Sequence, residues 1–156
     1  MNSESLRIAD QLRRAFTGGA WHGPSVRESL DGIAAEQASH RVLPEAHTVW
    51  EMVLHMNSWV NAAFESMRGV PMPQLDDWTE DWPVVKDTDE QAWAAAKEHL
   101  HQSGARLAEA IQQFTDANLK SVVPGRTYDF YFLFHGIVQH SLYHTGQIVL
   151  LKRAAL

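Results

Sequence analysis

The stretch that decides the fold is a helix-like segment near the end of the chain, HGIVQHSLYHTGQ, from His135 to Gln147. His140 and His144 are four residues apart, so on a helix they lie on one face with Cβ atoms roughly 5–6 Å apart. Two imidazoles with this spacing can bind one metal ion. Both also fall on a stripe with the 3-4-3-4 spacing of a packed helix. Its members are Phe130, Leu133, Ile137, His140, His144, Gln147 and Leu151. Two histidines and a glutamine in such a stripe need partners, because buried polar groups are costly unless they are paired or ligate a metal.

Three more long helices are predicted from apolar residues that recur at helical spacing. With the histidine-bearing segment they cover about residues 2–16, 45–68, 88–115 and 128–153. No segment has the strict alternation of a β-strand. The pattern predicts an all-α fold, a four-helix bundle that forms a single domain over residues 1–156.

Shorter features are predicted between these helices. Ser25 and Glu28 form a capping-box pattern that opens a short extra helix ending near Gly32, and an irregular link follows it. Thr88, with Gln91 three residues on, is predicted to cap the third long helix. Residues 69–87 are predicted to form a long ordered loop, which is often functional in a compact domain. This Pro/Trp loop contains Pro71, Pro73, Trp78, Trp82 and Pro83.

Composition excludes several classes of protein. The net charge is −6 and the 13 basic residues are scattered, which argues against a nucleic-acid partner. The sequence contains no run of about 18 apolar residues, so no membrane span is predicted. The first residues are polar and acidic and do not resemble a secretory signal, so we expect a cytoplasmic protein. Cysteine is absent, so thiol chemistry would need a thiol from outside. Four of the nine histidines are expected at the surface, namely His22, His40, His99 and His101.

A third metal ligand is expected, because a catalytic zinc-type site usually has three protein ligands and one open position. His55 is the best candidate, since it lies on a second helical stripe between Met52 and Trp59. Two alternatives remain: His55 is a satisfied core histidine, or the pair His140 and His144 arises by chance. Imidazole ligands suit zinc, nickel or iron. We expect zinc first, although the residue types do not choose among the three.

Two residues near the histidines are weak candidates for catalysis. Glu51, one turn before His55, can orient a ligand histidine, act as a general base on metal-bound water, or be an ordinary solvated glutamate. Gln147 can hydrogen-bond a metal ligand or lock the last helix against a neighbour. His47, on the face of Glu51, is expected to be a cap or rim residue.

The chain resembles the DinB-like (YfiT-like) family. The resemblance rests on residues 49–59, VWEMVLHMNSW, and on residues 135–148, HGIVQHSLYHTGQI, with the triplet Asp81-Trp82-Pro83 as a further echo. It implies a four-helix bundle of up-down-down-up order that is often dimeric. It also implies a metal bound by His55, His140 and His144.

The resemblance also bears on activity. Family members with assigned activities use low-molecular-weight thiols, as S-transferases or thiol-dependent isomerases, whereas many members have no known reaction. Our first hypothesis is a metal-dependent S-transferase in which the metal binds an external thiol that attacks a small electrophilic substrate. The alternatives are a metal-dependent hydrolase, a non-catalytic metal-binding stress protein, and a structural bundle whose histidines only hydrogen-bond one another. A homodimer is expected from the resemblance and from the six tryptophans.

Overall fold

Helices make up the regular structure of the chain in a computed structural model, which describes residues 3–75 and 78–154 without the side chains of residues 78 and 79. One isolated β-bridge joins Val122 and Asp129. The all-α prediction is therefore confirmed. The α-helices are α1 (Glu4–Thr17), α2 (Val26–Leu30), α3 (Ala35–Ser39), α4 (Val49–Ser66), α5 (Glu90–Gln113) and α6 (Phe130–Ala154). Two 3-10 turns cover Trp78–Asp81 and Asp116–Lys120.

The four long helices α1, α4, α5 and α6 correspond to the four predicted from apolar periodicity. α1 packs against α5 and α6, and α4 packs against the same two helices. Their shared core holds fully buried large side chains, among them Phe16, Trp93 and Phe134. Each such side chain contributes about 1.5–3 kcal/mol through burial. The up-down-down-up order of the helices stays a prediction.

Capping sets where the long helices begin. Thr48 caps α4: its hydroxyl accepts from the backbone N–H of Glu51, whose carboxylate accepts from the backbone N–H of Thr48 at 2.7 Å. The predicted start at residue 45 was wrong because this capping box was overlooked. α5 begins after Asp89, whose carboxylate accepts from the backbone N–H three residues on. The predicted cap at Thr88 was therefore wrong by one residue. The predicted start of the first helix, at residue 2, lies outside the described residues.

The two short helices show what local pattern can and cannot predict. The capping box of Ser25 and Glu28 is confirmed at the start of α2, which ends at Leu30. The irregular link expected after it was wrong in part, because α3 forms there. A carboxylate oxygen of Glu90, on α5, accepts from the backbone N–H of Ala35 at 2.8 Å. A residue distant in sequence thus satisfies the start of α3, and local spacing could not reveal it.

α6 buries more of its surface than the predicted stripe. Phe130, Leu133, Ile137, His144 and Leu151 are buried as expected, while His140 and Gln147 are half-buried. A second buried stripe consists of Phe134, Ser141, Thr145 and Ile148. The second stripe arises because α6 packs against both α1 and α4.

The connection from α4 to α5 runs back over the α4–α6 face. Most of the predicted Pro/Trp loop lies in this connection, apart from residues 76 and 77, which lie outside the described residues. Met72 is buried and its backbone N–H donates to the Pro124 carbonyl at 2.9 Å. The 3-10 turn that follows brings Asp81 and Trp82 against α4. None of the described helices is long and apolar enough to cross a membrane.

We expect Gly104→Ala to destabilise the fold, because Gly104 on α5 packs against the Phe16 ring of α1 without room for a side chain. A Cβ on Gly104 would lie 2.4 Å from a ring carbon of the buried Phe16. Overpacking of this kind costs about 1–3 kcal/mol, which outweighs a gain of about 1 kcal/mol in helix propensity. Urea denaturation measures the change in the free energy of unfolding.

The matched control is Gly146→Ala on α6. Gly146 is exposed, and a Cβ there meets no atom of the described chain within 4 Å. This variant should be as stable as the unaltered protein or more stable by up to about 1 kcal/mol. Equal stability of the two variants would contradict the close helix approach.

Candidate metal centre

Three histidines from two helices meet inside the protein. His55 comes from α4, and His140 and His144 come from α6. The Nε2 atom of His140 lies 2.8 Å from that of His55 and 3.1 Å from that of His144, and the candidate ligand atoms all lie within 4.8 Å of one another. His55 is 3% exposed and His144 5% exposed. The structure therefore brings together the three histidines that the sequence predicted as ligands.

Hydrogen bonds on the outer side fix the proton position in two of the rings. Nδ1 of His55 lies 2.8 Å from the backbone oxygen of Asp81, and Nδ1 of His144 lies 2.6 Å from the side-chain oxygen of Gln147. Both oxygens only accept, so each Nδ1 donates its proton. The neutral ring then carries a lone pair on Nε2. Two lone pairs thus point at Nε2 of His140, an arrangement that a proton or a cation at the centre can stabilise.

Burial opposes protonation of this cluster near neutral pH. Burial is the main cause that lowers the pKa of His140 to about 3, and the neighbouring His144 and His55 lower it further. Burial also lowers the pKa of His144 to about 4, although the hydrogen bond with Gln147 acts in the opposite direction. Both rings are therefore neutral at pH 7, and neutral imidazole is the form that binds a metal.

Two of the three distances between the nitrogens are close to those around a small divalent cation. Ligand nitrogens about 2.0–2.1 Å from a tetrahedral ion lie about 3.3 Å from one another. The Nε2 separations of 2.8 and 3.1 Å that involve His140 are close to this value, and the ligand atoms of His55 and His144 lie within 4.8 Å of each other. Modest side-chain rotation accommodates the difference, so the residues present fit zinc, nickel or iron equally well.

Asp81 is the site residue that the sequence analysis missed. Its carboxylate accepts from the indole N–H of Trp59 at 2.6 Å and lies 3.4 Å from Nδ1 of His55. Its backbone oxygen holds His55, so this one residue fixes a candidate ligand and ties the 3-10 turn to α4. The sequence analysis used the triplet that begins with Asp81 only as part of the family resemblance. A periodic pattern does not show which helix face a loop covers.

Trp82, the residue after Asp81, covers the cluster of three histidines. Its ring stacks on His47 at 3.4 Å between centroids and on His55 at 4.1 Å, with interplanar angles of 7° and 12°. Two imidazoles cannot both lie this close to one face of an indole, so Trp82 lies between them. Its edge-on contact with His144 is 5.9 Å between centroids. The expected rim position of His47 agrees with this stack.

A family comparison agrees with this geometry. A family model described as the DinB superfamily matches residues 20–148, a range that contains all three histidines, Asp81 and Trp82. The chain belongs to the DinB superfamily. Comparisons with curated proteins and with solved structures gave no match.

The two weak catalytic candidates of this DinB-superfamily chain have different surroundings. Gln147 holds His144, as described above. The carboxylate of Glu51 instead accepts from the backbone of Thr48 and from the Arg41 guanidinium at 2.8 and 3.1 Å. Burial alone would raise the pKa of Glu51, but the Thr48 hydrogen bond and the Arg41 charge outweigh it and lower the pKa. Glu51 therefore serves the helix start and an ion pair, which does not favour a role as a base.

The remaining histidines lie outside the cluster. His22, His40 and His99 are exposed as expected. The expectation for His101 was wrong, because it is half-buried on α5, and burial lowers its pKa. His135 is half-buried and its ring contacts Tyr131 at 4.5 Å between centroids.

An apolar cleft lies beside the cluster and reaches His140. Its volume is about 230 Å³. Its walls are largely aromatic and aliphatic, and the lining residues are Trp59, Tyr128, Phe132, Leu133, Gly136, Ile137 and His140. His140 is thus shared by the cluster and the cleft, which gives a small molecule access to this ring.

We expect Gln147→Met to weaken metal binding, because it removes the oxygen that orients His144 while keeping the length of the side chain. Loss of such an outer hydrogen bond typically lowers metal affinity about 10–100-fold. Competition against a chelator of known affinity measures the change. Gln139→Met, an exposed substitution on the same helix, is the control and should leave the affinity unchanged. Equal affinities in the two variants would argue against the orienting role.

We also expect the metal-stripped protein to lose stability as the pH falls from about 7.5 to about 5.5. The pKa values of His140 and His144 are lowered from the ordinary 6.5 in the folded state. The unfolded chain therefore binds more protons than the folded chain in this range, so the free energy of unfolding decreases as the pH decreases. Urea denaturation in the presence of a chelator gives the slope. His140→Gln should reduce the slope, whereas His99→Gln should not; an unchanged slope in His140→Gln would contradict the buried neutral cluster.

Proposed function

We propose that this protein is a metal-dependent S-transferase that joins a low-molecular-weight thiol to a small electrophilic substrate. In this proposal His55, His140 and His144 hold a divalent cation, with zinc as the first candidate. The observation that carries it is the convergence of three Nε2 atoms, two of which are held as lone-pair donors by Asp81 and Gln147. Such a centre has three protein ligands and leaves a position for an external one.

A divalent cation in this position supplies a positive charge that favours the thiolate form of a thiol near neutral pH. Neutral imidazoles contribute no negative charge that would offset it. The protein's own part is positional: Asp81 and Gln147 keep His55 and His144 aimed inward, and Trp82 shields His55 from water. The cleft beside His140 leaves the opposite side accessible to a substrate.

The family resemblance favours a thiol as the nucleophile. The chain has no cysteine, so such a thiol would have to come from outside. The assigned members of the family that the sequence resembles use low-molecular-weight thiols. In the proposed reaction the thiol sulfur bonds to the electrophilic carbon, the leaving group departs with the electron pair of the broken bond, and the thiol proton passes to solvent.

The alternatives receive less support from the site. A hydrolase would need a base near the centre, and the residue suggested for it, Glu51, is engaged by Thr48 and Arg41. A non-catalytic metal binder would not need a cleft that reaches one of the ligands.

The homodimer is also kept as a proposal. Among tryptophans with described side chains, Trp21 is the fully exposed one and is the candidate anchor.

We expect thiol-dependent turnover that requires both the metal and His140. The zinc-loaded protein would be mixed with 1-chloro-2,4-dinitrobenzene and one of several small thiols, and thioether formation followed by absorbance. Chelation, or His140→Ala, should reduce the rate to the uncatalysed background, because the centre then lacks its cation or one of three ligands. His99→Ala, at an exposed position on α5, is the control and should retain full activity.

Metal content measured on the same samples separates the alternatives. Stoichiometric metal without thiol-dependent turnover over a broader panel of electrophiles would favour the non-catalytic binder. Ester cleavage that is unaffected by thiol would favour the hydrolase. No metal uptake at all would leave a cluster of hydrogen-bonded histidines and would overturn the proposal.

A further inference from the structure

We propose that the cleft beside His140 binds the apolar body of the substrate, a single uncharged aromatic ring with a short substituent. The inference names the chemical class on which the same centre would act. It rests on the proposed function, because the bound molecule is a substrate only if the centre is catalytic. The cleft itself can be tested without any metal.

The lining of the cleft selects for an uncharged, apolar group. Three aromatic side chains, Trp59, Tyr128 and Phe132, form much of the wall, and Leu133 and Ile137 complete it. Apart from His140, no titratable side chain other than the Tyr128 phenol lines the cleft among the described residues. An ionised group placed there would lose hydration without gaining a partner, which is costly. An aromatic ring would instead gain edge or face contacts with the wall.

The volume of the cleft matches that of about one ring. An apolar cavity of roughly 150 Å³ is enough for benzene, whereas typical pockets for larger ligands have about 300–1,000 Å³. A volume of about 230 Å³ lies between these values. Most of a peptide-like thiol would lie outside this volume, so we assign the cleft to the electrophile and leave the thiol to the solvent side.

The position of the cleft would place the reactive substituent at the centre. His140 belongs to both the cleft and the cluster, and its ring lies 6.4 Å from the Trp59 ring between centroids. The Trp59 indole N–H is already satisfied by Asp81 at 2.6 Å. Trp59 therefore presents a fixed apolar surface to the occupant.

Gly136 keeps the cleft open. It lies one helical turn before His140, and a Cβ on it would meet no atom within 4 Å in the part of the chain that the structure describes. Glycine is unfavourable in the interior of a helix, and leucine is a good helix former. Leucine at this position can therefore fill the cleft without a clash at its Cβ, which gives a blocking substitution that the fold tolerates.

The test is a titration of metal-stripped, 15N-labelled protein with 4-chlorobenzyl alcohol, followed through the indole N–H resonances. Trp59 should shift in a saturable manner. Trp93, whose buried indole donates to the Ile33 carbonyl at 2.7 Å, is the internal reference and should not shift. Glucose, a polar probe of similar size, should shift neither resonance.

Two leucine variants on α6 decide the assignment. Gly136→Leu should weaken the affinity for 4-chlorobenzyl alcohol by at least about tenfold while its melting temperature does not fall. Gly146→Leu, at an exposed position on the same helix, should bind the probe as the unaltered protein does. Equal probe affinity in the two variants, or a shift confined to Trp93, would overturn the proposal.

The remaining outcomes separate this inference from the proposed function. Probe binding that Gly136→Leu blocks, in a protein that takes up no metal, would support the cleft and sink the S-transferase. Zinc uptake and thiol-dependent turnover without probe binding would overturn the assignment of the cleft and leave the S-transferase supported. Phe132 is 63% exposed, so sedimentation is measured as well. A dimer that Gly136→Leu converts to a monomer would assign the cleft to a second copy of the chain and overturn the proposal.

Discussion

The interaction on which the site depends is the pair of outward hydrogen bonds from two buried imidazoles. His55 gives its Nδ1 proton to the backbone oxygen of Asp81, and His144 gives its own to Gln147. Each bond settles the tautomer of one ring, and so determines that both rings present a lone pair to His140. The packing of α4 against α6 supplies proximity, but proximity without these two acceptors would leave the donor and acceptor pattern undetermined.

This constraint also explains why the connection between α4 and α5 returns across the site. The acceptor for His55 is a backbone carbonyl, which a loop supplies regardless of its side chains. The Asp81 carboxylate then holds Trp59, and the neighbouring Trp82 covers His55. A single turn of chain thus positions one histidine, one wall of the cleft and one cover.

Sequence periodicity predicted the four long helices and the three histidines because both depend on spacing within one helix. His140 and His144 share a face by their separation alone, and His55 follows from a second stripe of the same kind. The contributions of Asp81 and Trp82 were not predictable in this way, since they depend on where a loop crosses a helix. The start of α3 was missed for a related reason: Glu90, which satisfies it, is distant in sequence.

The stack of Trp82 between His47 and His55 has a consequence for exchange kinetics. The indole blocks one route to the cluster, and this route opens only when its contact with both rings is broken. The affinity for a cation at the centre would be set by the imidazoles. The rates at which it enters and leaves would also depend on how often the Trp82 indole moves out from between the two rings.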